Sequence, residues 1–106
     1  MLPINEELKF KGEEIISVLN EIELILISLH KIGAFFGEKD YAGKDKQAYE
    51  YETNRFIDEW KVTRRLSKIR TILSEKFDTT LGDDDMDDLE RSLGEMNYWK
   101  SPDSKP

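Results

Sequence analysis

The residues best suited to chemistry are carboxylates clustered near the C-terminus. In LGDDDMDDLERSLGEMNYWKSP, residues 81–102, six carboxylates occupy the eight positions from Asp83 to Glu90. Such a cluster can hold a metal ion, begin a helix or meet a basic protein surface. A calcium loop needs glycine at its sixth position and glutamate at its twelfth, but counting from Asp83 these are Asp88 and Gly94. The spacing therefore argues against a metal site and leaves the other two uses open.

A helix start explains only part of this cluster. Asp83 or Asp84 can accept a hydrogen bond from a backbone N–H, and carboxylates in a first turn face the positive end of the helix dipole. Each further like charge nearby costs about a few tenths of a kcal/mol. The surplus indicates either a solvated acidic face or a surface for a basic partner. The candidate partner-binding residues are Asp83, Asp84, Asp85, Asp87, Asp88 and Glu90, together with Tyr98 and Trp99. The two aromatic residues either anchor an interface or fold back to cap the bundle.

The rest of the sequence contains no convincing catalytic set. The single histidine, His30, lies in an apolar segment, and the chain has no cysteine for a thiolate pair. We interpret His30 as a satisfied or half-buried structural residue. The glycines at 33, 37 and 43 lack the spacing and the lysine–serine ending of a phosphate loop. The sequence therefore predicts a protein that is not an enzyme and that needs neither a metal nor a cofactor.

Charge and hydropathy exclude further classes. The net charge of −7 argues against non-specific binding to nucleic acid or anionic membranes and favours a basic partner. One face of the second predicted helix is basic and carries Lys61, Arg64, Arg65 and Lys68. We interpret this face as exposed to solvent; the alternatives are that it pairs with the acidic segment or binds phosphate.

Hydropathy argues against a membrane span. The longest uninterrupted apolar run in the most hydrophobic stretch is four residues, Leu24 to Ile27, whereas about 20 apolar residues are needed to cross a bilayer. With no signal peptide pattern, we expect a cytoplasmic protein.

Apolar periodicity predicts the helices that position these residues. All three prolines lie near the ends, and polar turns with glycine at 37–45 and 78–84 separate three segments. The predicted helices cover about residues 13–36, 46–77 and 84–96, followed by a frayed tail at 100–106. The fold class is all-α. We expect one domain, residues 1–106, in which a shorter third helix packs across an antiparallel pair of long helices as a small bundle.

The second predicted helix carries two apolar stripes. The first contains Tyr49, Thr53, Phe56 and Trp60, and the second contains Val62, Leu66, Ile69, Leu73 and Phe77. The stripes are separated by more than a quarter of a turn, so one straight helix cannot direct both at one flat neighbour. Either the helix kinks near residues 60–64, or another element covers its first half, or its aromatic half is exposed for a partner.

The acidic C-terminal segment and the preceding RLSKIRTILSEKF resemble the helical immunity proteins of bacterial polymorphic toxin and contact-dependent inhibition systems. The resemblance implies a stoichiometric inhibitor that binds a toxin domain, often a basic nuclease, and blocks its active site or substrate groove. The carboxylates would then imitate phosphates, and Tyr98 and Trp99 would anchor the interface. The competing prediction is a structural or regulatory helical module whose wide apolar arc on the first helix forms a homodimer.

Overall fold

The computed structural model describes residues 1–37 and 46–103, which contain four α-helices and one 3-10 turn, and no strand. The elements are a 3-10 turn at Pro3–Asn5, α1 at Gly12–Gly37, α2 at Lys46–Glu59, α3 at Val62–Ser74 and α4 at Asp88–Leu93. The prediction of an all-α helical bundle is confirmed. The chain divides into two compact units. The helical unit comprises Phe10–Leu73, and the terminal unit comprises Met1–Lys9 with Ser74–Pro106.

Helix α1 agrees with its prediction to within one residue at each end. Glu13 and Glu14 lie in its first turn, where carboxylates face the positive end of the dipole. The Glu14 carboxylate also accepts a hydrogen bond from the Lys11 N–H at 2.8 Å, which ties down the approach to the helix. None of the described helices has the length and apolar character needed to cross a bilayer. Most of the predicted turn at 37–45 lies outside the described residues, as does the predicted tail beyond residue 103.

The second predicted helix is broken, so the prediction of one helix over 46–77 is wrong and the kinked alternative is right. Helix α2 ends at Glu59 and α3 begins at Val62. Lys61 has a φ of 53°, a left-handed conformation that interrupts the α-helix. The Arg65 Nε donates to the Trp60 carbonyl at 2.7 Å, satisfying an acceptor that the break leaves without a helical partner.

The break lets both apolar stripes reach the same neighbour. Helix α1 packs against α2 and α3, which also contact each other. The rings of Phe36, near the end of α1, and Tyr49, near the start of α2, lie 5.8 Å apart. Farther back along α1, Glu21 pairs with Arg65 of α3, so the α2–α3 pair returns antiparallel to α1. Phe56 from the first stripe and Val62 from the second are both buried, together with Val18 of α1.

The terminal unit is held mainly by turns and side-chain hydrogen bonds. Its one α-helix in the described range, α4, has six residues and begins four residues later than predicted. The delay follows from the preceding turn, in which Asp85 has a φ of 59° and cannot continue a right-handed helix. The Gly82 N–H donates to the Met86 carbonyl at 2.9 Å and closes that turn. The acidic segment therefore consists of a turn followed by a short helix.

Candidate protein-binding surfaces

The centre of the terminal unit is a buried amide and a buried carboxylate. Asn5 and Asp88 are 4% and 5% exposed, and the Asn5 Nδ2 donates to the Asp88 Oδ2 at 2.7 Å. The Asn5 side chain also bonds both backbone groups of Asp78: its Oδ1 accepts from the N–H at 2.8 Å, and its Nδ2 donates to the carbonyl at 3.0 Å. Asn5 thus uses three of its four hydrogen-bonding positions and joins three segments of the unit.

Arg91 joins Asp88 to the rest of the acidic segment. Its Nε and Nη2 each donate to one oxygen of Asp84 at 2.8 Å, which is the two-pronged geometry that favours arginine over lysine. Its Nη1 donates to Asp88 at 2.9 Å and its Nη2 to the Met86 carbonyl at 3.1 Å. A Cβ on Gly82 would lie 2.8 Å from the Arg91 Nη2, so glycine allows the guanidinium to approach this closely.

The same contacts shift the ionisation of the carboxyl groups. Arg91 holds the pKa of Asp84 well below its usual range, and the Met86 N–H lowers it further. The Asn5 amide and then the Leu2 N–H, which donates at 2.8 Å, lower the pKa of Asp88. The pKa of Arg91 is raised above its usual value, first by Asp84. The cluster is therefore ionised at neutral pH, and its charges are partly compensated within the unit.

Two further carboxylates cap α4. Asp87 is the residue before the helix, and its Oδ1 accepts from the Glu90 N–H at 2.8 Å. The Glu90 Oε1 accepts from the Asp87 N–H at 3.3 Å, which completes a capping box. The helix-start interpretation is therefore right in kind, but the cap is Asp87 rather than Asp83 or Asp84.

The remaining predicted partner-binding residues face solvent. Asp83 and Asp85 are exposed, and within residues 1–37 and 46–103 neither side chain has a hydrogen bond or ion pair. Trp99 is 84% exposed. Tyr98 is 65% exposed, although its hydroxyl donates to the Leu93 carbonyl at 3.2 Å. The structure thus separates the eight predicted residues into two groups. Asp83, Asp85 and Trp99 are open to contact, whereas the others have intrachain partners, although the ring of Tyr98 is also exposed: Asp84, Asp87, Asp88, Glu90 and Tyr98.

Two residues central to this region were not identified from the sequence. Arg91 lies three positions after Asp88 on the same helix, and that spacing was a readable sign of an ion pair. Asn5 bonds a residue 83 positions away, and nothing in a single sequence reports such a contact.

The basic face identified from the sequence is partly used inside the helical unit. Arg65 and Lys68 of α3 donate to the Glu21 carboxylate of α1 at 3.0 Å and 3.3 Å. These contacts lower the pKa of Glu21, with the Arg65 hydrogen bond as the largest cause. Lys61 and Arg64 are exposed. The acid that meets this face is therefore Glu21 on α1.

A second candidate surface is apolar and lies along α1. Ile15, Leu19, Ile22, Leu26 and Leu29 are each between 39% and 55% exposed. His30 is exposed beside them, so of the two alternatives for this residue, satisfied or half-buried, the half-buried one is wrong. A row of exposed aliphatic side chains is unfavourable in water, and such patches commonly mark interaction surfaces.

Within the described residues, no three histidine, cysteine or acidic side chains are placed to hold a metal ion. Comparison with protein-family models, with curated proteins and with solved structures finds no match to this chain. The functional argument therefore rests on the two surfaces themselves.

Proposed function

We propose that this chain is a non-catalytic, stoichiometric binding protein of the immunity kind, which neutralises a basic toxin domain, such as a nuclease, in the bacterial cytoplasm. Its contact surface is the solvent-facing part of the terminal unit, formed by Asp83, Asp85, Tyr98 and Trp99. The toxin's lysine and arginine side chains would bind the two carboxylates, and occlusion of the active site or substrate groove would follow from contact.

The observation that carries this proposal is that the terminal unit leaves both Trp99 and the carboxylates of Asp83 and Asp85 open to solvent. Trp99 is 84% exposed, and exposed tryptophan is unfavourable in water but frequent at the energetic centre of interfaces. Asp83 and Asp85 flank Asp84, whose pairing with Arg91 fixes the turn that presents them. A fixed loop pays less conformational entropy on binding than a mobile one. The net charge of −7 would also accelerate encounter with a cation-rich partner.

Where the gene directly before this one encodes an exported protein with a variable C-terminal domain, that domain is the partner for the test. Calorimetric titration of that domain with the full chain should give one-to-one binding. Asp83→Asn with Asp85→Asn should weaken binding about tenfold at low salt and less at high salt, because these charges act mainly through long-range attraction. Trp99→Ala should weaken binding about 30-fold at both salt concentrations.

The matched control removes two exposed acids from the helical unit, Glu13→Gln with Asp58→Asn. It changes the net charge by the same amount and should leave the affinity close to that of the original chain. Equal weakening by both double variants would assign the effect to net charge alone. An affinity and salt dependence unchanged by both the terminal-unit double variant and Trp99→Ala would rule out this surface.

A helical module that acts through homodimerisation is the second candidate function, and the exposed apolar row on α1 favours it. The two functions use different surfaces, so one chain can have both.

A further inference from the structure

The exposed apolar residues of α1 follow the spacing of a coiled coil. Ile15, Leu19, Ile22, Leu26 and Leu29 are separated alternately by four and three residues. This repeat averages 3.5 residues, the period that keeps one row of side chains directed at a partner helix. We call these five residues the α1 seam. No charged residue interrupts the α1 seam, which ends at Leu29, because farther along α1 the Phe36 ring packs against Tyr49 of α2.

The α1 seam is not the face that packs inside the helical unit. Val18 is buried, and Glu21, Ile25 and Ile32 are half-buried. At 100° per residue these positions centre about a quarter of a turn away from the α1 seam. Helix α1 therefore has two apolar faces, of which one packs within the unit and the other meets solvent.

The helical unit buries few of its apolar side chains. Among the described residues only Val18, Phe56 and Val62 are buried hydrophobics. A partner on the α1 seam would supply the apolar burial that the helical unit lacks.

The residues beside the α1 seam indicate what that partner is. Glu23 and His30 are exposed, lie seven positions apart and flank the α1 seam on the same side. When two copies of α1 pair antiparallel with Leu26 opposite Leu29, Glu23 of each copy comes beside His30 of the other. Because the pair is symmetric, it contains two such contacts, each between the Glu23 carboxylate of one copy and the His30 imidazole of the other.

We propose that the α1 seam docks on the α1 seam of a second copy of this chain, as an antiparallel pair. This inference rests on the second candidate function, homodimerisation, and specifies its interface and direction. It does not depend on the proposed toxin-binding function, because it uses none of the terminal-unit residues. The interface is isologous: Leu26 of each copy packs against Leu29 of the other, and the two Glu23–His30 pairs lie along one edge.

The test is sedimentation of the full chain over a range of concentrations, which should show a monomer–dimer equilibrium. Leu26→Glu should raise the dimer dissociation constant about 100-fold, because it places two charges in the apolar contact. The matched control is Ile27→Glu, one residue along but 100° around the helix and also exposed. It adds the same charge and should change the dissociation constant by less than about threefold. Neither side chain is buried in the monomer, so circular dichroism should confirm that both variants stay helical.

Cross-linking then tests the direction of the pairing, since the chain has no cysteine of its own. A mixture of Glu23→Cys and His30→Cys chains should form the mixed disulfide in preference to either homodimeric one. A strict monomer at every concentration would overturn the proposal, and so would a dimer that Ile27→Glu weakens as much as Leu26→Glu. Preferential disulfide formation between two Glu23→Cys chains would overturn the antiparallel arrangement.

Discussion

Among the residues that the structure describes, the buried side chains of the helical unit are the apolar Val18, Phe56 and Val62, whereas those of the terminal unit are the polar Asn5 and Asp88. The first unit is held by packing, which is non-directional and tolerates variation in shape. The second is held by hydrogen bonds, which require each donor to meet its acceptor. The two units should therefore respond differently to substitution and to pH.

The difference also concerns what each unit leaves on its surface. The terminal unit uses Asp84, Asp87, Asp88 and Glu90 internally, so most of its dense acidic sequence is part of its own structure. The helical unit has more apolar side chains than its own packing covers, and the surplus forms the α1 seam. The sequence therefore misleads about exposure in two ways: most of the clustered carboxylates are used inside the terminal unit, and part of the apolar surface of α1 faces solvent.

The largest effect should come from removing the apolar core residue Phe56. Phe56→Ala should lower the free energy of unfolding by about 3 to 5 kcal/mol, because Phe56 is 5% exposed and its loss leaves a cavity. Urea denaturation followed by circular dichroism at the helical band measures this. Ile57→Ala, at the neighbouring exposed position, is the control and should cost less than about 1 kcal/mol. Equal costs would mean that the helical unit has no organised core.

Removing Asn5 should disrupt the terminal unit. Asn5→Ala leaves the backbone groups of Asp78 and the Asp88 carboxylate each without one hydrogen bond, at a cost of about 2 kcal/mol. Hydrogen exchange at the Asp78 amide should accelerate, while exchange in α1 should remain unchanged. Asn54→Ala, on the exposed side of α2, should alter neither rate. Equal acceleration throughout the chain would contradict the separation into two kinds of core.

Acidification should weaken the terminal unit before the helical unit. The pKa of Asp84 is lowered by Arg91 and the pKa of Asp88 by Asn5. Because both folded pKa values lie below the unfolded value of about 3.9, their stabilisation is complete above that pH and is lost as the pH falls through the folded values. The pKa of Glu21 is lowered in the same direction by Arg65, but the helical unit also has an apolar core that does not titrate.

Hydrogen exchange measured at successively lower pH, below about 4, should therefore show protection declining first in the terminal unit. In Arg91→Met, carbon-detected NMR should find the Asp84 titration shifted upward toward the ordinary value. An unchanged Asp84 titration in that variant would contradict the assigned cause.

The smallest effect should come from the exposed acids. Asp83→Asn with Asp85→Asn removes two charges without breaking a hydrogen bond, and asparagine tolerates the left-handed backbone at position 85. Thermal unfolding should therefore be unchanged within experimental error. A clear loss of stability would assign these carboxylates a structural function, and a gain would indicate relief of repulsion among like charges.

The sequence predicted the regular parts of the fold well. The periodicity of α1 gave its limits closely, and the angle between two apolar stripes required a kink in the second predicted helix if both were to face one neighbour. The change of stripe also placed the possible kink near residues 60–64, and the helix breaks there. Lys61 was not identified as the residue that breaks it, because it is neither glycine nor proline. The pattern Asp87–Asp88–Leu89–Glu90 was a readable capping box, but the density of acids around it directed the prediction to Asp83 and Asp84.

The candidate surfaces were less predictable than the fold. The apolar arc on α1 suggested a homodimer, yet which part of the arc stays exposed depends on where α2 and α3 pack. The use of Asp88 depends on Asn5, at the other end of the chain. Contacts of that separation arise from tertiary structure and leave no periodic trace in the sequence.

The left-handed conformation of Lys61 has a consequence for how this chain tolerates change. A side chain with a Cβ costs about 1 kcal/mol or more in that conformation, and a β-branched one costs more still. Glycine and asparagine should therefore be accepted at position 61, while valine and isoleucine should be rejected. Which substitutions this position accepts should therefore depend on the backbone conformation that the new residue can adopt and not on its charge.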